Sequence, residues 1–229
     1  MTTTGTGRPA VEGLRERKKR AMRRQLSDTA ARMFLERGFD AVRVADVGEA
    51  CGVSEKTVFN YFPSKEALLL DRLEATADAL RTHLPDPALT PVEAMLSILD
   101  DELDGLATGL AADSDRALAQ YRKFGDLIRN TPSLRAYQSD IADRFVDIAA
   151  EALATRTGLH PDDPEPQIAA ATLLGLWRVQ FRALRTHVRP GHPLPDAIKA
   201  VSREVRRAAR LAEAGLATFP APAKPHIAG

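Results

Sequence analysis

Six polar side chains in one short stretch near the N-terminus have the chemistry needed to contact a nucleic acid. Cationic groups bind phosphates, whereas hydroxyl and amide groups exchange hydrogen bonds with base edges. The spacing of the central residues places them on one face of a short helix. We predict base-edge contacts from Lys56, Thr57 and Asn60. We predict phosphate contacts from Arg43, Tyr61 and Lys65.

Two short helices joined by a tight turn are predicted to position these residues. The first helix has apolar residues at a spacing of three, namely Val44, Val47 and Ala50. Gly52 ends it, because glycine tolerates the left-handed backbone of a sharp turn. Ser54 is a suitable N-cap for the second helix, Glu55–Tyr61, in which Val58 and the following Phe62 face inward. A helix, a glycine-containing turn and a helix form the helix-turn-helix unit, whose second helix can enter the DNA major groove.

The stretch from about residue 20 to residue 80 resembles the TetR-type transcriptional regulators. Its most specific feature is Gly-Val-Ser, followed at fixed spacing by Tyr-Phe-Pro-Ser-Lys-Glu. The matching positions are Ala30, Phe34, Gly38, Phe39, Val47, Gly52, Val53, Ser54, Thr57, Phe59, Tyr61, Phe62, Ser64, Lys65, Glu66 and Leu68. Tracing helical patterns along the chain predicts an all-α protein with about nine helices, three in an N-terminal DNA-binding module and about six in the body, and the resemblance implies the same count and a ligand-binding and dimerisation role for the body.

Three positions depart from the family pattern. Arg43 stands where the family usually has a threonine that caps the helix and touches a phosphate. Gly48 replaces a common alanine, and Lys56 replaces a glycine or another small residue. We expect Arg43 to make the phosphate contact as a cation instead.

The predicted organisation has four parts. Residues 1–13 form a disordered arm, and residues 14–80 form the DNA-binding domain with its helix-turn-helix motif at 43–62. Residues 81–217 form the body, and residues 218–229 a loose tail. A helix opened by Ser64 runs to about Leu84, where a proline-containing linker marks the boundary between the domains.

The distribution of charge favours DNA binding by the N-terminal module alone. The formal net charge of the 229 residues is only +1. Residues 1–70, however, hold 13 basic and 9 acidic side chains, and seven of the basic ones lie between Arg15 and Arg24. The longest uncharged apolar run is too short to span a bilayer, and no N-terminal signal region is present, so we expect a cytoplasmic protein.

Other kinds of site have weak support. The single cysteine excludes an intramolecular disulfide and a thiolate zinc site. The five histidines are scattered, and the carboxylates at Asp100–Glu102 and Asp162–Asp163 are interpreted as solvated. We therefore predict no metal, no cofactor and no catalytic residues. An all-helical enzyme remains the alternative from another class.

Aromatic residues spread over several predicted helices of the body fit either a hydrophobic core or a small-molecule cavity. They are Tyr121, Phe124, Phe145, Trp177 and Phe181. The resemblance favours the cavity, since members of the family typically enclose an inducer pocket, and Arg178 is placed to meet an acidic head group. The loop GLHPDDPEP and the alanine-rich helix after it also resemble an actinobacterial branch whose body binds acyl-CoA-like ligands.

The last two long helices are predicted to form a homodimer interface. The side chains assigned to it are Leu173, Leu176, Ile198, Val201, Val205, Ala208 and Ala212. A two-fold dimer would recognise an approximately palindromic operator in double-stranded DNA. The predicted function is a repressor released by a small apolar or amphipathic inducer. A dimeric DNA-binding regulator that needs no ligand is the alternative.

Overall fold

The computed structural model describes residues 13–70, 73–111, 114–189 and 191–221, and within these ranges it is all-helical, as predicted. The ten helices described are α1 (Leu14–Arg37), α2 (Val44–Ala50), α3 (Glu55–Tyr61), α4 (Lys65–Leu70), α5 (Leu73–His83), α6 (Pro91–Ala111), α7 (Ser114–Asn130), α8 (Pro132–Thr157), α9 (Pro164–His187) and α10 (Leu194–Gly215). Within the same ranges, no helix combines the length and apolar character needed to cross a bilayer. The predicted arm and most of the predicted tail lie outside the described residues.

The chain divides into two compact units, an N-terminal unit of Met1–Asp71 and a C-terminal unit of Arg72–Gly229. The division comes before α5, and not at the proline-containing linker after it, because α5 packs against α6 and α8. Ala77, Leu80 and Leu84 are fully buried there. The single helix expected from Ser64 to about Leu84 is described as α4 and α5, and residues 71–72 between them lie outside the described part of the chain.

The N-terminal unit is held together by one apolar stripe of α1. Leu26, Ala30, Met33 and Phe34 recur at helical spacing and are buried, whereas Ala21, nearer the start of the helix, is exposed. This face of α1 packs on α2 and α4. The Ser27 hydroxyl donates a hydrogen bond to the carbonyl of Leu68 (3.0 Å), which fixes α4 against α1.

In the C-terminal unit, α9 packs against α6, α8 and α10 and is therefore central. A connection of only a few residues joins α9 to α10, so the two helices form an antiparallel hairpin. His187 Nε2 and Glu204 Oε1 lie 2.8 Å apart across this hairpin. The apolar stripe of α10 is buried against α9 and α6 within the same chain.

Candidate functional site

The turn between α2 and α3 has the backbone geometry that the sequence predicts. Gly52 has a φ of 71°, and Ser54 Oγ accepts a hydrogen bond from the Thr57 amide (3.1 Å) as the N-cap of α3. The Val53 amide donates to the carbonyl of Gly48 (2.9 Å), which brings the turn close to α2. A Cβ atom added at Gly48 would lie 2.8 Å from the carbonyl oxygen of Val53. The close packing of the turn on α2 therefore favours glycine at position 48.

The buried face of α2 differs in one residue from the prediction. Val44, Val47 and Gly48 are buried, whereas Ala50 is exposed because a helix of 3.6 residues per turn carries it to the opposite side. At the start of α2, where the threonine cap is missing, Asp46 Oδ2 accepts a hydrogen bond from the Arg43 amide (3.0 Å). This interaction satisfies one of the free amides at the helix start.

Arg43 is itself bound by Asp46. Its guanidinium donates to Asp46 Oδ1 over 2.7 and 3.0 Å, and the arginine side chain remains 79% exposed. The hydrogen bonds from Arg43 hold the pKa of the Asp46 carboxyl below its ordinary value. A phosphate reached by Arg43 would have to share this guanidinium with Asp46.

Helix α3 presents a polar outer face, while Val58 and the following Phe62 are buried as predicted. Lys56 and Asn60 are exposed on the outer face, together with the ring of Phe59, which is 47% exposed. Thr57 is half-buried, and its hydroxyl lies 2.8 Å from that of Ser54. Of the three predicted base-contacting residues, Lys56 and Asn60 are thus exposed, and Thr57 also takes part in the cap.

The two remaining predicted phosphate contacts, Tyr61 and Lys65, lie on either side of Phe62 and are half-buried. The guanidinium of Arg23 donates to the carbonyl of Tyr61 (3.0 Å). The ammonium of Lys65 lies 4.4 Å from the centre of the Phe39 ring, a cation–π contact that the sequence pattern did not indicate. Lys65 therefore also helps to hold the unit together.

A groove of about 860 Å³ separates the N-terminal half of α1 from the outer face of α3. Its lining consists of Leu14, Arg15, Lys18, Lys19 and Met22 from α1 and Thr57, Asn60 and Tyr61 from α3. Three of these residues are basic and none is acidic. The sequence indicated a basic segment here, but only the packing of α1 beside α3 selects which of its cations lie next to the recognition helix.

In the C-terminal unit, three of the five predicted ligand-binding aromatics form one cluster. The rings of Phe145 and Trp177 lie 5.7 Å apart in an edge-on arrangement, and the rings of Trp177 and Phe181 lie 4.9 Å apart. Phe145 is fully buried and Trp177 nearly so, whereas Arg178 is exposed to solvent. Tyr121 and Phe124 lie half-buried on α7, and burial raises the pKa of the Tyr121 hydroxyl.

The charged group associated with this cluster is Glu102 of α6, which was interpreted from the sequence as part of a solvated turn. Burial raises the pKa of its carboxyl, while hydrogen bonds from Thr76 and Trp177 lower it in part. The Thr76 hydroxyl donates to Glu102 Oε1 (2.5 Å) from α5. Glu102 thus connects α5, α6 and α9, and the helical spacing of α6 could have indicated its inward direction next to Leu103.

Most of the predicted dimer residues are buried within a single chain. Leu173 and Leu176 of α9 are 0% and 3% exposed, and Val201, Val205 and Ala212 of α10 are 0%, 3% and 5% exposed. Ile198 and Ala208 are half-buried. The reason is that α10 uses its apolar stripe to cover α9 and α6 of its own chain, so these side chains are already removed from water.

Comparisons with known proteins agree with this architecture. The family model described as bacterial regulatory proteins of the TetR family matches residues 26–71, and the model of the MftR C-terminal domain matches residues 106–210. The HTH-type transcriptional regulator TcmR of Streptomyces glaucescens is 30% identical over 177 residues, which cover 76% of this chain and 77% of that protein. An HTH-type transcriptional repressor of Mycobacterium tuberculosis is 31% identical over 170 residues, which cover 67% of this chain and 89% of that protein.

A solved structure shares the fold. The SmeT–triclosan complex superposes with a TM-score of 0.51 at 18% identity and covers 85% of this chain and 91% of the other. The exposed polar face of α3, the turn that positions it and the relatives that span both units lead to one conclusion. The chain is a member of the TetR family of bacterial transcriptional regulators.

Proposed function

We propose that this regulator is a repressor that binds an approximately palindromic operator as a homodimer and leaves it when a small molecule binds the C-terminal unit. The observation that carries the proposal is the outer face of α3, where Lys56 and Asn60 are exposed next to cationic side chains. A helix seated in the major groove reads only a few base pairs, so two copies related by two-fold symmetry give useful affinity and specificity. The chromosome that such a protein regulates lies in the cytoplasm.

Within this proposal, Asn60 and Lys56 read base edges and Thr57 supports them through its hydroxyl. An amide pairs well with adenine and an ammonium with guanine. We expect Asn60→Ala to change the preferred sequence and to weaken specific binding by about 1–3 kcal/mol. Binding to randomised duplexes, followed by sequencing of the bound fraction, measures this change. Glu36→Ala, an exposed α1 substitution, is the control. An unchanged preference with Asn60→Ala would remove Asn60 from the base-reading set.

For the dimer, we keep the predicted helices α9 and α10 but propose their outward faces as the interface. Ile168 on α9 and Leu211 on α10 are large apolar side chains that are 66% and 77% exposed. Because the hairpin is antiparallel, the beginning of α9 and the end of α10 lie at the same end of it. The small exposed residues Ala171 and Ala214 lie near these positions in the sequence and allow close helix approach. A second copy of this hairpin would cover the patch as a four-helix arrangement.

For the trigger, we propose a ligand that binds at the aromatic cluster of Phe145, Trp177 and Phe181. Glu102 is the charged group associated with the cluster, whereas the predicted partner Arg178 is exposed, so we infer that the ligand carries a cationic or hydrogen-bond-donating group. Such a group would compete with Thr76 for the carboxylate of Glu102 and so release a contact of α5. Since α5 follows α4 with only residues 71–72 between them, a shift of α5 can alter the separation of the two recognition helices from one DNA turn of about 34–36 Å.

A ligand acts as an inducer only if it binds the DNA-incompetent state more tightly. Trp177 is the only tryptophan, so its fluorescence reports binding at this cluster. We expect compounds with an amine and an apolar body to change Trp177 fluorescence and to release bound DNA. Acidic analogues of the same shape are the control. Compounds that change the fluorescence but leave the DNA complex intact at saturation would contradict the inducer role.

A further inference from the structure

We propose that the groove between α1 and α3 holds the DNA backbone, with Arg15, Lys18 and Lys19 contacting phosphates beside the bases that α3 reads. This inference rests on the proposed DNA binding and adds a second element, α1, to the interface. It names three phosphate-binding residues outside the helix-turn-helix motif.

One face of α1 changes from basic to apolar along the helix. Arg15, Lys18, Lys19 and Met22 follow the same helical spacing that continues into the buried residues Leu26 and Ala30. Where this face packs on α2 and α4 it is apolar, and where it extends beside α3 it is basic. Side chains in the basic part are exposed, and so is Leu14 (62%), so this part is not needed for the core.

The composition of the groove suits a DNA backbone. Its polar lining consists of three cations on one wall and the hydroxyl and amide groups of Thr57, Asn60 and Tyr61 on the other. Arginine and lysine bind phosphate oxygens, and the hydroxyl groups of Thr57 and Tyr61 can add neutral contacts to the backbone beside the bases that Asn60 reads. Leu14 and Met22 add apolar surface to the lining, which suits contact with the deoxyribose between phosphates.

The cations on the opposite face of α1 do not line the groove. Arg17 and Arg24 are also exposed cations, but the helical repeat places them about 150–170° around the axis from the centre of this basic wall, and neither lines the groove. If charge alone attracted DNA, these two arginines would contribute as much as the two lysines. A backbone held in the groove predicts that they do not.

The experiment measures binding of the full-length protein to a labelled 30-base-pair duplex of mixed sequence over a range of salt concentrations, with length chosen as on the order of three DNA turns. The variants are Lys18→Ala/Lys19→Ala and, as a control with the same loss of charge, Arg17→Ala/Arg24→Ala. Each phosphate contact contributes about 0.9 to the slope of log affinity against log salt. Because the proposed homodimer loses four phosphate contacts, we expect the lysine pair to flatten this slope by about 3.6 and the arginine pair to leave it close to that of the unmodified protein.

Two further measurements separate the possible failures. Lys18→Arg/Lys19→Arg should restore the slope, and the lysine-to-alanine variant should select the same sequence from randomised duplexes, because phosphate contacts carry no sequence information. Equal weakening by both alanine pairs, or a changed sequence preference, would overturn the groove assignment while leaving DNA binding intact. Failure of the unmodified protein to bind any duplex would instead overturn the proposed function on which the assignment rests.

Discussion

At the scale of single residues, two carboxylates take roles that depend on their surroundings. Asp46 is half-buried and accepts hydrogen bonds from Arg43, so its pKa is lowered and it supports the start of α2 at neutral pH. Glu102 is half-buried, and the loss of solvation there raises its pKa and makes its charged form costly at neutral pH. The second carboxylate is therefore available to a ligand that can compensate its charge.

Glu102→Gln tests this account through the pH dependence of stability. A folded-state pKa raised above the ordinary 4.5 means that stability falls as pH rises from about 4.5 through the folded pKa and is constant above it. We expect Glu102→Gln to raise the melting temperature at pH 7.5 by about 2–4 °C, roughly 1 kcal/mol, and this gain to vanish near pH 4. Asp101→Asn, at an exposed neighbouring position, should change little. A variant less stable at every pH would mean that the hydrogen bonds from Thr76 and Trp177 outweigh the cost of burial.

At the scale of elements, the close approach of the turn to α2 sets the position of the recognition helix. Glycine inside a helix is normally unfavourable by about 1 kcal/mol relative to alanine. At Gly48 this relation is reversed, because an added methyl group would lie 2.8 Å from a backbone oxygen and 3.3 Å from Val58 Cγ2. At Gly105, an exposed position of α6, nothing lies within 4 Å.

This contrast predicts opposite effects for the same substitution. We expect Gly105→Ala to stabilise the protein by about 0.5–1 kcal/mol and Gly48→Ala to destabilise it by about 1–3 kcal/mol, since the turn must shift away from α2. Urea unfolding followed by circular dichroism measures both values. Equal stabilisation by the two substitutions would show that the turn moves without cost.

At the scale of the whole molecule, the buried side chains of α10 contribute to the fold of one chain, whereas its exposed side chains are available for assembly. Val205 is 3% exposed and Leu211 is 77% exposed, although both belong to the same helix. The first side chain contributes to the core of one chain, and the second is available to another chain. The residues first assigned to a dimer interface therefore differ from those that remain free for one.

Aspartate at position 205 should reduce the stability of the fold, whereas aspartate at position 211 should disrupt the dimer. We expect Val205→Asp to destabilise the fold by about 3 kcal/mol or more, since it buries an unpaired charge. Leu211→Asp should instead leave the melting of the single chain nearly unchanged and shift the protein to monomer in analytical ultracentrifugation. Ala119→Asp, at an exposed site on α7, is the control. If Leu211→Asp stayed dimeric, the outward face of α10 would not be the interface.

The local parts of this fold could be predicted from sequence, because short-range rules determine them. The turn at Gly52, the cap at Ser54 and the buried Val58 all follow from backbone conformation and helical spacing. The packing partner of a stripe could not be predicted: the α10 stripe fits a second chain as well as α9 and α6 of the same chain. Glu102 was missed because its charge suggested a solvated position, although the helical spacing of α6 places it next to the buried Leu103.

Selection of DNA from a random duplex library tests the central claim most directly. The full-length protein is mixed with duplexes containing a randomised centre, and the bound fraction is sequenced after several rounds at physiological salt. We predict enrichment of one approximately palindromic sequence whose half-sites lie about one DNA turn apart, 10–10.5 base pairs from centre to centre, or a multiple of this distance. Enrichment of no sequence, with binding no tighter than the non-specific range of about 10⁻⁴–10⁻⁶ M, would contradict the account.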